Sequence, residues 1–397
     1  DPDSVSFVVD NGVLYDKTMS TVLYYPAYLT EETYEFPTTV HEIGIGAFAG
    51  AQLKTLTLPE RIKTIPDYAF AASALETFNF HKGVTHLGNY AFQSCPKLNN
   101  VFLPNSVQYA GYYAFSDCTS LSNFVFEEVS STGNAYVIGS HFFDGCTSMT
   151  QIIIPNKMTY LTTDIVTYPS TSTIKNAYGL IPAYMFANTG IVNAVIPAQI
   201  TDMNTEGVFA NCAQLETVTF ENAIMNAQRI GDKYFYGCVK LKELALPVGI
   251  LSVMGSKEHY ANCTSLEKIT FYTNREEGVS GTGGTFTNCP NLKTIEVLYV
   301  TEYEYDEDEN IMLLNKRPGL LCHPDEKERV ATLITHIQAY LYQKREWNPR
   351  GENAFTPALC NRIDRNTGGI VIAAKTAEGL RVMNQKIKDR ELSKYYL

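Results

Sequence analysis

Long apolar runs are missing from this 397-residue chain. A helix crossing a bilayer needs about 20 consecutive apolar residues, so a membrane-spanning reading is excluded. Tryptophan occurs once, at Trp347, and none of the nine cysteines forms a Cys-x-x-Cys pair. Basic residues are scarce: Lys plus Arg number 31 against 42 Asp plus Glu, a net charge of -11, which argues against one continuous nucleic-acid surface. No basic and apolar leader precedes the opening Asp1-Pro2-Asp3, so an export signal, if one exists, lies outside these residues. Against these absences stands a hydrophobic content of 45% with 18% charged, the composition of a folded chain. Its length exceeds one ordinary core and points to two domains or a repeat array. The charge is divided unevenly: residues 1–300 hold 16 basic and 27 acidic side chains, residues 310–397 hold 15 and 9, and the run Glu302–Glu309 supplies six more acids.

An aromatic residue recurs at Phe48, Phe70, Phe92, Phe115, Phe143, Phe186, Phe209, Phe235, Tyr260 and Phe286. The intervals are 22, 22, 23, 28, 43, 23, 26, 25 and 26 residues, mostly inside the ~20–29 of leucine-rich repeats. The two long intervals carry insertions, the larger around Met158–Tyr178. After each aromatic comes a segment such as Leu53-Lys-Thr-Leu56-Thr-Leu58-Pro59, whose apolar residues end in a period-two alternation. That alternation predicts a short half-buried strand, and the proline ends it because it cannot donate to a ladder. One such coil cannot bury its own apolar face, so stacking is required and a solenoid of about ten coils is expected.

Seven cysteines, Cys95, Cys118, Cys146, Cys212, Cys238, Cys263 and Cys289, each follow the aromatic by three residues. A disulfide framework or a metal set would use them in pairs or clusters. Coils that carry Ala51, Ser73 or Thr189 in the same slot argue instead for a small buried residue and inert thiols.

The pattern Gly-Asn-Tyr-Ala-Phe-Gln-Ser-Cys-Pro-Lys-Leu at 88–98 resembles the BspA-type leucine-rich repeat family of bacterial surface proteins, over roughly residues 5–297. Phe7-Val-Val-Asp-Asn-Gly-Val-Leu-Tyr15 is similar to that family's opening coil. The resemblance implies binding of proteins or host surfaces and names no catalytic residue. A tyrosine-lined face would suit such contact, since tyrosine offers a large rigid ring with a polar tip, although many of the 26 tyrosines fit as ordinary repeat positions.

The periodicity stops after Leu292-Lys-Thr-Ile295-Glu-Val297, which divides the chain into a solenoid over 1–297, an acidic connector or strand entry over 298–309, and a second unit over 310–397. There Ile311–Leu314 and Ile370–Ala374 predict strands. Val330, Leu333, Ile334, Ile337 and Leu341 share one helical face, and Leu380, Met383 and Ile387 mark a second helix that Thr376 would cap. The alternation predicts an α/β or α+β unit.

Three motifs stand in order: Asn315-Lys316-Arg317-Pro318-Gly319-Leu320 with His323-Pro324, then Asn361-Arg362-Ile363-Asp364-Arg365-Asn366-Thr367-Gly368-Gly369, then Lys394-Tyr395-Tyr396-Leu397. Taken alone, Asp-x-x-Thr-Gly-Gly is a turn. Together the motifs resemble the RluA-type RNA pseudouridine synthases over about 298–397. The resemblance implies an isomerase that detaches uracil from ribose and rejoins it through carbon, with no cofactor and no metal. By this resemblance Asp364 is the nucleophile, Arg362 enters the space left by a flipped base, and Tyr396 packs against the uracil. Asn315, Lys316 and Gly319 support the first motif, and Thr367, Gly368 and Gly369 the second. Lys327, Arg329, Lys344, Arg345, Arg350, Arg365, Lys375, Arg381, Lys386, Lys388 and Arg390 would supply attraction to RNA phosphates, or else form a solubilising surface.

Arg317 and Asn361 stand where that family usually has proline and histidine. The family also continues past the position of Leu397 with further strands and an arginine that pairs with the aspartate, so these residues alone are expected to be weakly active or inactive. Three readings stay open: an RNA-modifying enzyme segment tethered to a protein-binding solenoid, placing it in the cytoplasm; a cell-surface or secreted repeat protein with no enzymatic role; and two genes joined or cut in assembly.

Overall fold

The computed structural model describes residues 5–130, 133–155, 157–161, 176–197, 200–221, 230–247, 250, 252–253, 258–273, 280–281, 285–299, 305–316, 320–324, 332–344, 346–349, 355–365 and 369–391. The expectations for Val330, Gly319, Thr367, Gly368 and Tyr396, and for most of the larger insertion, fall outside these residues.

The chain opens on a hairpin. Phe7–Asp10 pairs antiparallel with Val13–Asp16 through Asn11 and Gly12, whose φ values of 47° and 83° are those a two-residue hairpin turn demands. Parallel coils follow. In one column Thr55–Thr57, Thr77–Asn79, Asn100–Leu103 and Asn123–Phe126 pair in register, and in a second column so do Thr64–Ile65, His86–Leu87, Tyr109–Ala110, Tyr136–Ile138 and Met158–Leu161. The first kind of strand recurs as Asn193–Ile196 with Thr217–Phe220, and as Glu243–Ala245 with Lys268–Thr273 and Thr294–Tyr299. The fold is thus a leucine-rich-repeat solenoid.

The third wall of each coil is built around the recurrent aromatic. In the coil of Phe70, the amides of Tyr68, Phe70 and Ala72 donate to the carbonyls of Asn89, Ala91 and Gln93 in the next coil at 3.0, 2.8 and 2.8 Å. The alternate amides close local turns, as Ala71 does on Tyr68 at 3.0 Å. Such a ribbon forces the residues two before and two after the aromatic into left-handed backbone: Tyr68 and Ala72, Tyr90 and Ser94, Tyr113 and Asp117, Tyr184 and Asn188 all have φ between 53° and 57°. A side chain costs about 1 kcal/mol or more there. The inter-coil hydrogen bond made by each of these amides offsets that cost.

Inside, the rings form a continuous spine. Tyr25 stacks on Phe48 at 5.4 Å, and the series continues through Phe70, Phe92, Phe115, Phe143, Phe186, Phe209, Phe235 and Tyr260 to Phe286 with centroid separations of 5.0–6.4 Å. The 43-residue interval between Phe143 and Phe186 does not interrupt it; those rings lie 6.1 Å apart. The cysteine slot is also explained. Cys95, Cys118, Cys146, Cys212, Cys238, Cys263 and Cys289 are free thiols, each donating to the carbonyl of the preceding coil's aromatic at 2.9–3.2 Å. Burial pushes the thiols of Cys212 and Cys263 up to about 12, so they stay protonated and unreactive.

The C-terminal unit has its own core of Met312, Leu314, Cys322, Leu333, Ile337, Leu341, Val371 and Ala373. Its strands are β1 (Tyr305–Glu307), β2 (Ile311–Lys316), β3 (Ala358–Leu359) and β4 (Gly369–Ala374), and its helices are α1 (Leu333–Gln343) and α2 (Ala377–Lys388). The sheet order is β1-β2-β4-β3 and every pair is antiparallel. The first strand lies inside the acidic run, and Glu307 is tied into the unit by Lys344, by Lys375 at 3.0 Å and by the Tyr340 hydroxyl at 2.8 Å. Leu333, Ile337 and Leu341 face the core, one turn apart. Thr376 accepts the Gly379 amide at 3.0 Å, capping α2. Of the strand predicted over Ile370–Ala374, Val371 and Ala373 are buried while Ile370 is 57% exposed, because alternate residues face opposite sides of the sheet; Ala374, on the face of Ile370, is buried as well.

Candidate functional site

Asp364 lies in the loop between β3 and β4. Where the backbone leaves the ladder, the Asn361 side chain takes over: its Oδ1 accepts the Ile372 amide at 2.7 Å and its Nδ2 donates to the Ile370 carbonyl at 3.2 Å. Arg362, Asp364 and Arg365 are then exposed, and the chain re-enters the sheet at Gly369, whose φ of 141° suits glycine.

The first motif lies alongside. Lys316 ends β2 opposite Gly369, is fully buried, and donates from Nζ to the Arg365 carbonyl at 3.1 Å. Burial lowers its ammonium pKa, opposed by the nearby Asp364 carboxylate. The Cys322 thiol donates to the Ile363 carbonyl at 3.3 Å and receives the Ile363 amide at 3.5 Å. Burial also lowers the His323 pKa, and the Arg362 cation adds to the effect, so those two side chains share the same neighbourhood. The structure therefore brings Lys316, Cys322, His323, Arg362 and Asp364 around one loop. Asn315 is in β2, and Tyr396 lies outside the described residues.

Within the wider set of basic residues, several side chains are paired with carboxylates. Lys375 is clasped by Glu307 and Glu346, Lys344 by Glu307, Arg381 by Glu378 and Lys386 by Glu391. Of these only Lys375 is sheltered from solvent; the pairs of Arg381 and Lys386 lie on the surface. Lys327, Arg329, Arg345 and Arg350 lie outside the described residues, whereas Arg365, Lys388 and Arg390 are exposed. Among the described residues no three His, Cys, Asp or Glu side chains converge as metal ligands.

The solenoid offers two surface features. Phe102, Val125, Ile153 and Val195, at equivalent positions of successive coils, are 50, 43, 86 and 44% exposed. Beside them polar side chains bond from coil to coil, Asn123 to Asn100 at 3.2 Å and Thr217 to Asn193 at 2.6 Å. Elsewhere Tyr68, Tyr90, Tyr113, His141 and Tyr184 stack as a second ladder at 4.3–5.1 Å. The tyrosines are thus divided, since Tyr15, Tyr25, Tyr136, Tyr234 and Tyr260 are wholly buried.

The family described as "BspA type Leucine rich repeat region" matches residues 20–136, 126–177 and 179–305 in six copies, and the chain belongs to that family. A second family, "RNA pseudouridylate synthase", matches residues 310–397. The chain is therefore a repeat scaffold joined to a pseudouridine synthase segment. Over that segment it is 38% identical across 91 residues to an uncharacterized RNA pseudouridine synthase of Mycoplasma genitalium, covering 23% of this chain and 27% of the relative. It is 34% identical across 95 residues to ribosomal large subunit pseudouridine synthase D of Borreliella burgdorferi, again 23% and 27%. The chain spans about a quarter of the length of these curated relatives. Among solved structures it is similar to a leucine-rich repeat protein of Bacteroides ovatus (TM-score 0.36, 18% identity, 74% of this chain and 85% of that one) and to the pneumococcal vaccine antigen PcpA (TM-score 0.40, 17% identity, 74% and 88%). No helix among the described residues is long and apolar enough to cross a membrane.

Proposed function

We propose that residues 310–397 contribute the nucleophile-bearing part of an RNA pseudouridine synthase, and that the solenoid is a protein-binding scaffold attached to it. The observation that carries this reading is the exposure of Asp364 on a loop held from both sides, with Arg362 exposed two residues away and the Lys316 cation nearby. A carboxylate is ionised at neutral pH and needs no separate base to attack. The exposed Arg362 guanidinium would stack in the gap left by an extracted uridine and bind phosphate, and Tyr396 would pack against the uracil. No redox change takes place in moving the glycosidic bond from nitrogen to carbon, so the reaction draws on no cofactor. The substrate is RNA, which would place this activity where RNA is. Because the chain alone is expected to be weakly active or inactive, the test is tritium release from 5-tritiated uridine RNA by the chain completed with the C-terminal part of a synthase relative, and by the same protein carrying Asp364→Ala. Release that depends on Asp364 is expected; equal release by both would remove the reading.

A second reading, a surface-exposed binding protein without chemistry, draws on the exposed row Phe102, Val125, Ile153 and Val195. Contiguous apolar side chains beside a polar rim suit contact with another protein. If it holds, Phe102→Asp with Val195→Asp abolishes capture of a protein ligand while Asp364→Ala leaves capture unchanged.

A further inference from the structure

Asp364 sits between two anchored neighbours. On one side both backbone groups of Ile363 bond to the Cys322 thiol, at 3.3 Å through the carbonyl and 3.5 Å through the amide. On the other side the Arg365 carbonyl accepts from Lys316 Nζ at 3.1 Å. Both anchors come from packed parts of the unit. Lys316 is the last residue of β2 and is fully buried, while Cys322 is 5% exposed, next to the parallel bridge between Leu321 and Thr332. The bridge docks the segment on the start of α1, so neither anchor can shift without moving the core. Burying an ammonium is costly unless its hydrogen bonds require it there. An aliphatic side chain would fill the core equally well, yet would leave the Arg365 carbonyl without this donor.

We propose that Lys316 and Cys322 are positioning residues for Asp364: one fixes the backbone after the carboxylate, the other the backbone before it, and neither touches substrate. The proposal rests on the nucleophile reading only for the purpose of the positioning. The positioning itself is a mechanical property with its own readout. A loop pinned at both flanks keeps its aspartate at a set height above the sheet, and geometry of that kind is what a nucleophile needs before substrate arrives.

The test is hydrogen exchange of the full chain, comparing the loop 360–365 with α2 as reference, in Cys322→Val, Lys316→Met, Cys322→Ser and Lys316→Arg. Valine keeps the volume of the thiol site without its hydrogen bonds, so folding is preserved. Loss of one anchor is expected to speed loop exchange about tenfold with α2 unchanged, since one hydrogen bond is worth roughly that factor. Serine and arginine are expected to restore most of the protection. Unchanged loop exchange in both Cys322→Val and Lys316→Met overturns the proposal. Equal acceleration in α2 also overturns it, because that would assign the two residues to general packing. Where Asp364-dependent tritium release is measurable, the same variants lower kcat about tenfold at constant KM. Absence of Asp364-dependent release in the completed protein would count against the nucleophile reading alone and leave the exchange result standing.

Discussion

In the solenoid, a residue's partners sit one coil away: the Cys118 thiol bonds to Phe92 26 positions upstream, and the Phe92 ring stacks on Phe115 at 5.1 Å. In the C-terminal unit they lie much farther along the chain, with Lys375 reaching Glu307 across 68 positions and Lys316 reaching Arg365 across 49. The first region repeats one solution, so each rung is supported by two copies of itself. The second uses each contact once, around a small core, and ties its sheet to α1 with buried charge. Damage to the solenoid should therefore spread to adjoining coils, whereas the C-terminal unit should respond to single charges and to pH.

Phe92→Ala should separate the two regions most. It removes a fully buried ring stacked at 5.0 and 5.1 Å on its neighbours, and about 3–5 kcal/mol of solenoid stability should go with it. Chemical denaturation followed by tyrosine fluorescence should show that loss while the fluorescence of Trp347, which reports the C-terminal unit, keeps its midpoint.

Acid should do the reverse. His336 is buried in α1, and burial lowers its pKa to about 4. Between the unfolded value of about 6.5 and this folded value only the unfolded chain binds the proton. Stability of the unit is therefore full above that range and falls as pH drops through it, by up to about 3 kcal/mol. His336→Leu should flatten the dependence. Burial would raise the Glu307 carboxyl, but hydrogen bonds from Lys344, Tyr340 and Lys375 override it and hold it at about 2. Its contribution is present above about 4.5 and is lost only as pH falls toward 2, a separate and lower window.

Lys375→Met should cost the C-terminal unit about 2 kcal/mol, because Glu307 and Glu346 lose a shared, largely buried cation. The check is the midpoint of the Trp347 transition, and salt should narrow the difference little, since the pair is shielded from solvent. The smallest effect belongs to Cys212→Ser, at most about 1 kcal/mol, because the hydroxyl can keep the bond to the Phe186 carbonyl. A large loss, or a change in behaviour between reducing and oxidising buffer, would contradict the role of a small buried donor.

The periodic region was open to sequence reading because its signal is spacing. Ten aromatics in register announce the spine, and Pro59, Pro104 and Pro247 mark where strands stop. The tyrosines at Tyr68, Tyr90 and Tyr113 were harder, since nothing about tyrosine suggests left-handed backbone; only glycine at equivalent places, such as Gly46 and Gly207, hints at it. The thiol hydrogen bonds were hidden because each acceptor is a carbonyl of another coil. In the C-terminal unit the helical faces and the Thr376 cap follow from local pattern. The anchoring of the Asp364 loop by Cys322, across 41 positions, does not, and neither does the use of Asn361 as a substitute for ladder bonds. The pairing of Lys344 and Lys375 with Glu307 likewise depends on chain segments that sequence spacing does not bring together.

The spine crosses the 43-residue interval from Phe143 to Phe186 at 6.1 Å, close to the step between coils of 22 residues. The stack counts rungs and is indifferent to the number of residues between them. Adding or removing one whole rung would leave every other ring with a neighbour on each side, while cutting half a rung would orphan one. What such a change alters is reach: the outer face lengthens or shortens by one ring spacing, and a partner gripping several rungs at once would feel it as a gained or missing handhold.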